Sequence, residues 1–175
     1  MADVRLHLGD CRDILPTIPS GTVDVVLCDP PYPHIRRSYG FWTEAEWFSL
    51  MRVVVPECMR VLKPRGSAVF ILQPNSERVG RMRTWLWEFM LWVGKEWGIV
   101  QDAWWWNPAI LPNGGANSLG MLRASVKATV WVGPNDCYHN QDDALWEPNW
   151  SRIAAHSESR ATRTQKLPSG NSVVS

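Results

Sequence analysis

Val23-Asp24-Val25-Val26-Leu27-Cys28-Asp29-Pro30-Pro31-Tyr32 opens as a short apolar run rich in β-branched side chains and closes on a carboxylate, two prolines and an aromatic ring. Such a run reads as a buried parallel strand. Neither proline can donate to a ladder, so pairing ends there. Pro31 also keeps Pro30 out of the helical region. The strand therefore runs into a stiff, extended turn. Ligands of open α/β sheets sit beyond the carboxyl ends of the strands, which is where Asp29 and Tyr32 fall. The Asp29 carboxylate and the Pro30 carbonyl are two acceptors beside a flat ring. Together they suit a planar ligand bearing an NH2 group, such as a nucleobase with an exocyclic amine.

On the N-terminal side, Val4 to Leu8 alternates Val, Arg, Leu, His, Leu and reads as a half-buried strand. Gly9-Asp10 ends it, and Cys11 to Leu15 makes a short helix for which Asp10 is a suitable N-cap. On the C-terminal side, Pro33 to Gly40 is a polar, basic loop. Its Arg36 and Arg37 read either as phosphate contacts or as solvated side chains. Thr43-Glu44-Ala45-Glu46 is a capping box. The helix after it puts Trp47, Met51, Val54, Val55, Cys58 and Leu62 on one face, with a kink expected at Pro56 and a stop at Lys63 to Gly66. Ser67 to Gln73 is the next buried strand, reached by a right-handed parallel crossover. Asn75 to Val93 reads as a second crossover helix with Arg78, Arg81 and Arg83 near its start. Gly98 to Trp106 and Ser125 to Val132 read as strands, separated by a long irregular loop.

A chain of 175 residues is one domain by size. Its formal net charge of +1 supplies no global field for nucleic acid, so any such contact is local. Cys11, Cys28, Cys58 and Cys137 form no metal-ligand spacing and read as reduced thiols, which fits a cytoplasmic chain with no metal. Twelve tryptophans read as core and interface rather than base-stacking platforms. No run is long enough to span a membrane. From Ser151 the chain is rich in Ser and Thr, with Arg152, Arg160, Arg163 and Lys166 against Glu158. It reads as a weakly ordered basic tail.

Asp29-Pro30-Pro31-Tyr32 after an apolar strand resembles the catalytic motif of the S-adenosylmethionine-dependent DNA amino-methyltransferases, which act on the exocyclic amine of adenine or cytosine. Gly9-Asp10-Cys11 with Ile14-Leu15, and Ser20-Gly21-Thr22-Val23-Asp24, resemble the run-in to that motif. Arg60-Val61-Leu62-Lys63-Pro64-Arg65-Gly66 followed by Ser67-Ala68-Val69-Phe70 resembles the helix-to-strand joint after it. Tyr138-His139-Asn140 with Trp146-Glu147-Pro148 resembles a segment of the subgroup with permuted motif order. The likeness covers about residues 3 to 150.

The resemblance implies an α/β chain: an incomplete Rossmann-like methyltransferase sheet, mostly parallel, with helices on both faces. Residues 1–150 would be the catalytic-motif portion, including part of the target-recognition region at about 107–124, and 151–175 the tail. Asp29, Pro30, Pro31 and Tyr32 would be catalytic. Asp10 and Asp29 would bind S-adenosyl-L-methionine, and Arg36, Arg37 and Tyr39 would contact DNA. Asp at the first motif position favours adenine in that family; cytosine-N4 is the alternative. The family's second motif, an aromatic before a glycine-rich turn, is not found here. The chain is therefore expected to be a front portion that works with a complementary C-terminal half or as a homodimer. An inactive module for nucleic-acid or subunit binding is the competing reading. Without the strands of that other half, the first strand should either dock on the central one or lie loosely beside an open edge.

Overall fold

The computed structural model describes residues 3–78, 80–101, 103–106 and 126–140. The chain order is α1 (Cys11–Ile14) with a 3-10 turn (Leu15–Thr17), β1 (Val23–Cys28), α2 (Glu44–Val61), β2 (Leu62–Leu72), β3 (Ser76–Arg78), β4 (Arg81–Met82), α3 (Trp85–Glu96), β5 (Ile99–Gln101), β6 (Trp104–Trp106) and β7 (Val126–Val132). These belong to the first of two compact units, Met1–Tyr138. The second, His139–Ser175, is described only at His139 and Asn140. The target-recognition stretch at 107–124, the boundary after residue 150 and the basic tail lie outside the described residues.

The α2 helix forms as its sequence dictates. The Thr43 hydroxyl accepts from the Glu46 amide, and the Glu46 carboxylate accepts from the Thr43 amide at 2.8 Å. Trp47, Met51, Val54, Val55 and Cys58 recur at helical spacing, and all are buried. Pro56 lies inside the helix without ending it. The α3 helix adds Trp85, Leu86, Phe89 and Val93. Ring contacts join the two helices to the sheet: Trp47 meets Trp85 at 4.9 Å and Phe89 at 5.4 Å, and Phe89 meets Phe70 of β2 at 5.6 Å. Each such edge-to-face pair contributes about 0.5–1.5 kcal/mol beyond area burial.

The sheet runs β1-β2-β7-β5, with β6 also on β7. Only β1 and β2 are parallel; β7 is antiparallel to β2, β5 and β6. The described sheet is thus mixed rather than mostly parallel. The two longer helices among the described residues are not on opposite faces either. The ring contacts put α2 and α3 on the same side as Phe70, while Val25 and Leu27 on the other face of β1 are 58% and 70% exposed. β1 is an edge strand among the described strands.

Three further expectations are corrected. Val4 to Leu8 forms no strand; Leu6 and Leu8 are almost fully exposed. Alternation prepares a strand, but a ladder needs a neighbour. Second, the joint expected to separate helix from strand is part of β2. Val23 pairs with Leu62 and Val25 with Ser67, so two steps along β1 are matched by five along β2. Lys63-Pro64-Arg65-Gly66 takes up the excess as an irregularity. Gly66 is needed there, because a Cβ would stand 2.9 Å from the Asp24 carbonyl oxygen. Third, none of the described residues from Asn75 to Thr84 is helical. Gly80, at φ 75, turns β3 into β4, so Arg78, Arg81 and Arg83 lie ahead of the helix and not in its first turn.

Candidate functional site

β1 and β2 end at the same edge of the sheet, because they are parallel and Cys28 pairs with Phe70. β7 starts there, because it is antiparallel to β2 and Ala128 pairs with Leu72. Asp29 and Tyr32 leave the end of β1 into the space beside the first residues of β7.

Two carbonyls of the turn are anchored by the core. The Trp47 indole N–H donates to the Pro31 carbonyl at 2.6 Å. The Asn75 amide donates to the Pro33 carbonyl at 2.6 Å, while its oxygen accepts from the Trp85 indole at 3.1 Å. Two fully buried tryptophans thus hold the main chain on either side of Tyr32, one directly and one through Asn75. Their core placement agrees with the reading of the tryptophans as packing residues. Trp87, Trp104 and Trp105 are instead 44–50% exposed.

The Asp29 side chain is 54% exposed. The Tyr32 hydroxyl donates to its Oδ1. Tyr32 is half-buried, and burial first, then this bond to Asp29, push the phenol's pKa well above its ordinary value. A third member, Lys127 of β7, is one that no sequence motif marks. Its ammonium donates to the Tyr32 hydroxyl at 3.2 Å and lies 3.9 Å from Asp29 Oδ2. It also sits 5.2 Å from the centre of the Trp105 ring and 5.6 Å from that of Tyr32. Trp105 faces it because the two residues are paired between β6 and β7.

The loop after Tyr32 closes on itself. The His34 amide donates to the Trp42 carbonyl at 2.7 Å, and Arg37 and Gly40 exchange main-chain bonds at 2.9 and 3.1 Å. Arg36, Arg37 and Tyr39 are exposed on it, with the Arg36 guanidinium 5.5 Å from the Phe41 ring. His34 lies 3.5 Å from Glu44.

Asp10 caps α1 by accepting from the Arg12 amide at 2.9 Å, and both its oxygens accept from the Arg12 guanidinium. The Arg12 side chain holds its pKa down at about 2. A cavity of about 600 Å³ lined by Met59, Arg60, Lys63, Glu96, Trp97 and Pro134 lies at the opposite, entry end of β1 and β2. Its cations are already engaged, Arg60 by Glu57, Ser20 and two carbonyls and Lys63 by Asp24. Among the described residues no cluster of His, Cys, Asp and Glu is arranged to hold a metal. No helix there is long and apolar enough to cross a membrane.

A family model described as DNA methylase, of the N6/N4 methyltransferases, matches residues 23–170. The Type II methyltransferase M.BamHI of Bacillus amyloliquefaciens is 31% identical over 71 residues, which cover 36% of this chain and 16% of that one. The cytosine-N4-specific PvuII DNA methyltransferase has a similar fold, with a TM-score of 0.68 at 20% identity over 81% of this chain and 53% of its own. TTHA0409, a putative DNA modification methylase of Thermus thermophilus complexed with S-adenosyl-L-methionine, gives 0.57 at 21% identity over 85% of this chain and 63% of its own. The chain therefore spans only part of the length of the relatives it matches.

Proposed function

From the premise that this chain belongs to the N6/N4 DNA methylase family, we propose that it carries the amine-binding part of a DNA methyltransferase site, acting on a flipped adenine with S-adenosylmethionine as methyl donor. The observation that carries the reading is the half-exposed Asp29 at the exit of β1, in a turn whose main chain is fixed by Trp47 and Asn75.

The amine lone pair of adenine is delocalised into the ring and is a poor nucleophile. Asp29 and the Pro30 carbonyl accept the two amine hydrogens. That draws the nitrogen towards tetrahedral geometry and frees the lone pair as the transition state forms. A turn held at two carbonyls keeps these acceptors in place, and such positioning is a large part of catalysis. The amine of a paired base is out of reach, so the base leaves the stack and rests on Tyr32. Arg36 and Arg37, beside Tyr39 on the closed loop, contact the phosphates that flank it.

The described residues fit the amine better than the methyl donor. Asp10, named together with Asp29 for the donor side, already has both oxygens on Arg12. Cytosine-N4 is the second reading, favoured by the fold shared with the cytosine-N4-specific PvuII enzyme.

The test is incubation of the chain with tritiated S-adenosylmethionine and unmethylated DNA, then digestion and chromatography. Label in N6-methyladenine supports the first reading and label in N4-methylcytosine the second. Asp29→Ala should abolish the label with the fold intact. No label with the wild-type chain, and no heat of S-adenosylmethionine binding in calorimetry, would favour a non-catalytic binding module.

A further inference from the structure

We propose that Lys127 is a positioning residue for the Asp29–Tyr32 pair. This rests on the reading of Asp29 as the amine acceptor and adds a residue from β7, two strands over from β1 and 95 positions along the chain from Tyr32.

The direction of the hydrogen bonds follows from the chemistry of the three groups. An ammonium can only donate and an ionised carboxylate can only accept. The Tyr32 hydroxyl lies between them, 3.2 Å from Lys127 Nζ and bonded to Asp29 Oδ1. It therefore accepts from Lys127 and donates to Asp29. With Lys127 in place, the hydroxyl hydrogen has one direction to take. The chain Lys127 to Tyr32 to Asp29 fixes the tilt of the ring and the plane of the carboxylate together.

Lys127 is itself held. Its side chain is 21% exposed, and its ammonium lies over the Trp105 ring. A cation beside an aromatic face gains electrostatic attraction, more so when partly desolvated. Its Cα belongs to β7, which is paired on both sides, to β2 and to β6. A site referenced to a paired strand is more precisely held than one resting on its own loop. The arrangement leaves room for substrate. A carboxylate offers about four lone-pair sites, so an arriving amine can share Asp29 with Tyr32 without displacing it.

Lys127→Met keeps the apolar stem and removes charge and donor; Lys127→Arg keeps both. Carboxyl-labelled Asp29, assigned through Asp29→Asn, and ring-labelled Tyr32, assigned through Tyr32→Phe, are followed by 13C NMR at pH 7. Both signals should move in Lys127→Met and return towards wild type in Lys127→Arg, while the Asp10 signal stays put. In the tritium assay Lys127→Met should lower kcat by about 100-fold, the scale of a roughly 1 Å misplacement. KM for DNA should stay within about threefold of wild type, and Lys127→Arg should recover most of the loss. Unmoved Asp29 and Tyr32 signals in Lys127→Met overturn the proposal. So does a rise in KM at constant kcat, which would mark Lys127 as a phosphate contact. If the signals respond as expected but Asp29→Ala keeps its activity, or the wild-type chain has none, the positioning contact stands and the functional reading fails.

Discussion

Replacing Trp47 by Phe tests whether the core holds the motif. Trp47 is fully buried, and its indole N–H donates to the Pro31 carbonyl at 2.6 Å. Phe has no donor, and leaving a partly buried acceptor unpaired costs about 1–3 kcal/mol. The smaller ring also weakens edge contacts to Phe48, Trp85 and Phe89, each worth about 0.5–1.5 kcal/mol before repacking. Together these give a loss of about 2–3 kcal/mol. With a urea slope of about 1–3 kcal/mol/M for a small protein, the unfolding midpoint should fall by about 0.7–3 M. Trp87→Phe is the control, because Trp87 is 44% exposed; it should change stability by less than about 0.5 kcal/mol. The His34 amide, bonded to the Trp42 carbonyl beyond the turn, should exchange faster in Trp47→Phe as the turn loosens. Equal midpoints for the two variants would refute the idea that Trp47 anchors the turn.

Thr43→Ala removes one arm of the capping box and should cost about 1 kcal/mol in urea unfolding; an unchanged midpoint would show that α2 does not depend on its cap. Asp10 should titrate at about 2 by NMR, and Arg12→Ala should return it towards 3.8, because the Arg12 side chain is the main cause of the depression. The sign follows from a folded pKa below the unfolded one: the contribution to stability is present above the ordinary carboxylate range and is lost as pH falls towards 2. An Asp10 midpoint indifferent to Arg12 would contradict this. Burial pushes the Cys58 thiol up to about 12 and that of Cys28 to about 11. Iodoacetamide at about pH 8 should therefore label the exposed Cys11 first and spare Cys58 until the chain unfolds. Mass spectrometry showing equal labelling would mean that the core opens readily.

The parts legible in the sequence are those fixed by local rules. Thr43 and Glu46 announce the start of α2, and helical spacing picks out its buried face from Trp47 to Cys58, whereas Leu62, expected on the same face, opens β2. The strand-to-proline junction at Cys28-Asp29-Pro30 likewise needs no partner to be recognised. The parts that escape depend on neighbours distant in sequence. Val4 to Leu8 has the alternation of a strand but no adjacent strand among those described. Gly80 hints at a hairpin over Ser76 to Met82, yet the apolar stretch after it favours one long helix on local pattern alone. Sheet direction escapes because a parallel crossover is the natural reading of each strand-helix-strand run, whereas β5, β6 and β7 pair antiparallel. Lys127 is out of reach for the same reason. Only the antiparallel register of β7 brings it beside Tyr32, and nothing near it in sequence marks it.

The central claim is that Asp29 and its neighbouring carbonyl hold an aromatic NH2 group, and it can be tested without any methyl transfer. Carboxyl-labelled protein is titrated with adenosine and cytidine, and separately with purine riboside, which lacks the amine. The account predicts that nucleosides with the amine shift the Asp29 13C signal in a saturable way and that purine riboside leaves it in place. Equal shifts from all three, or none from any, would contradict it.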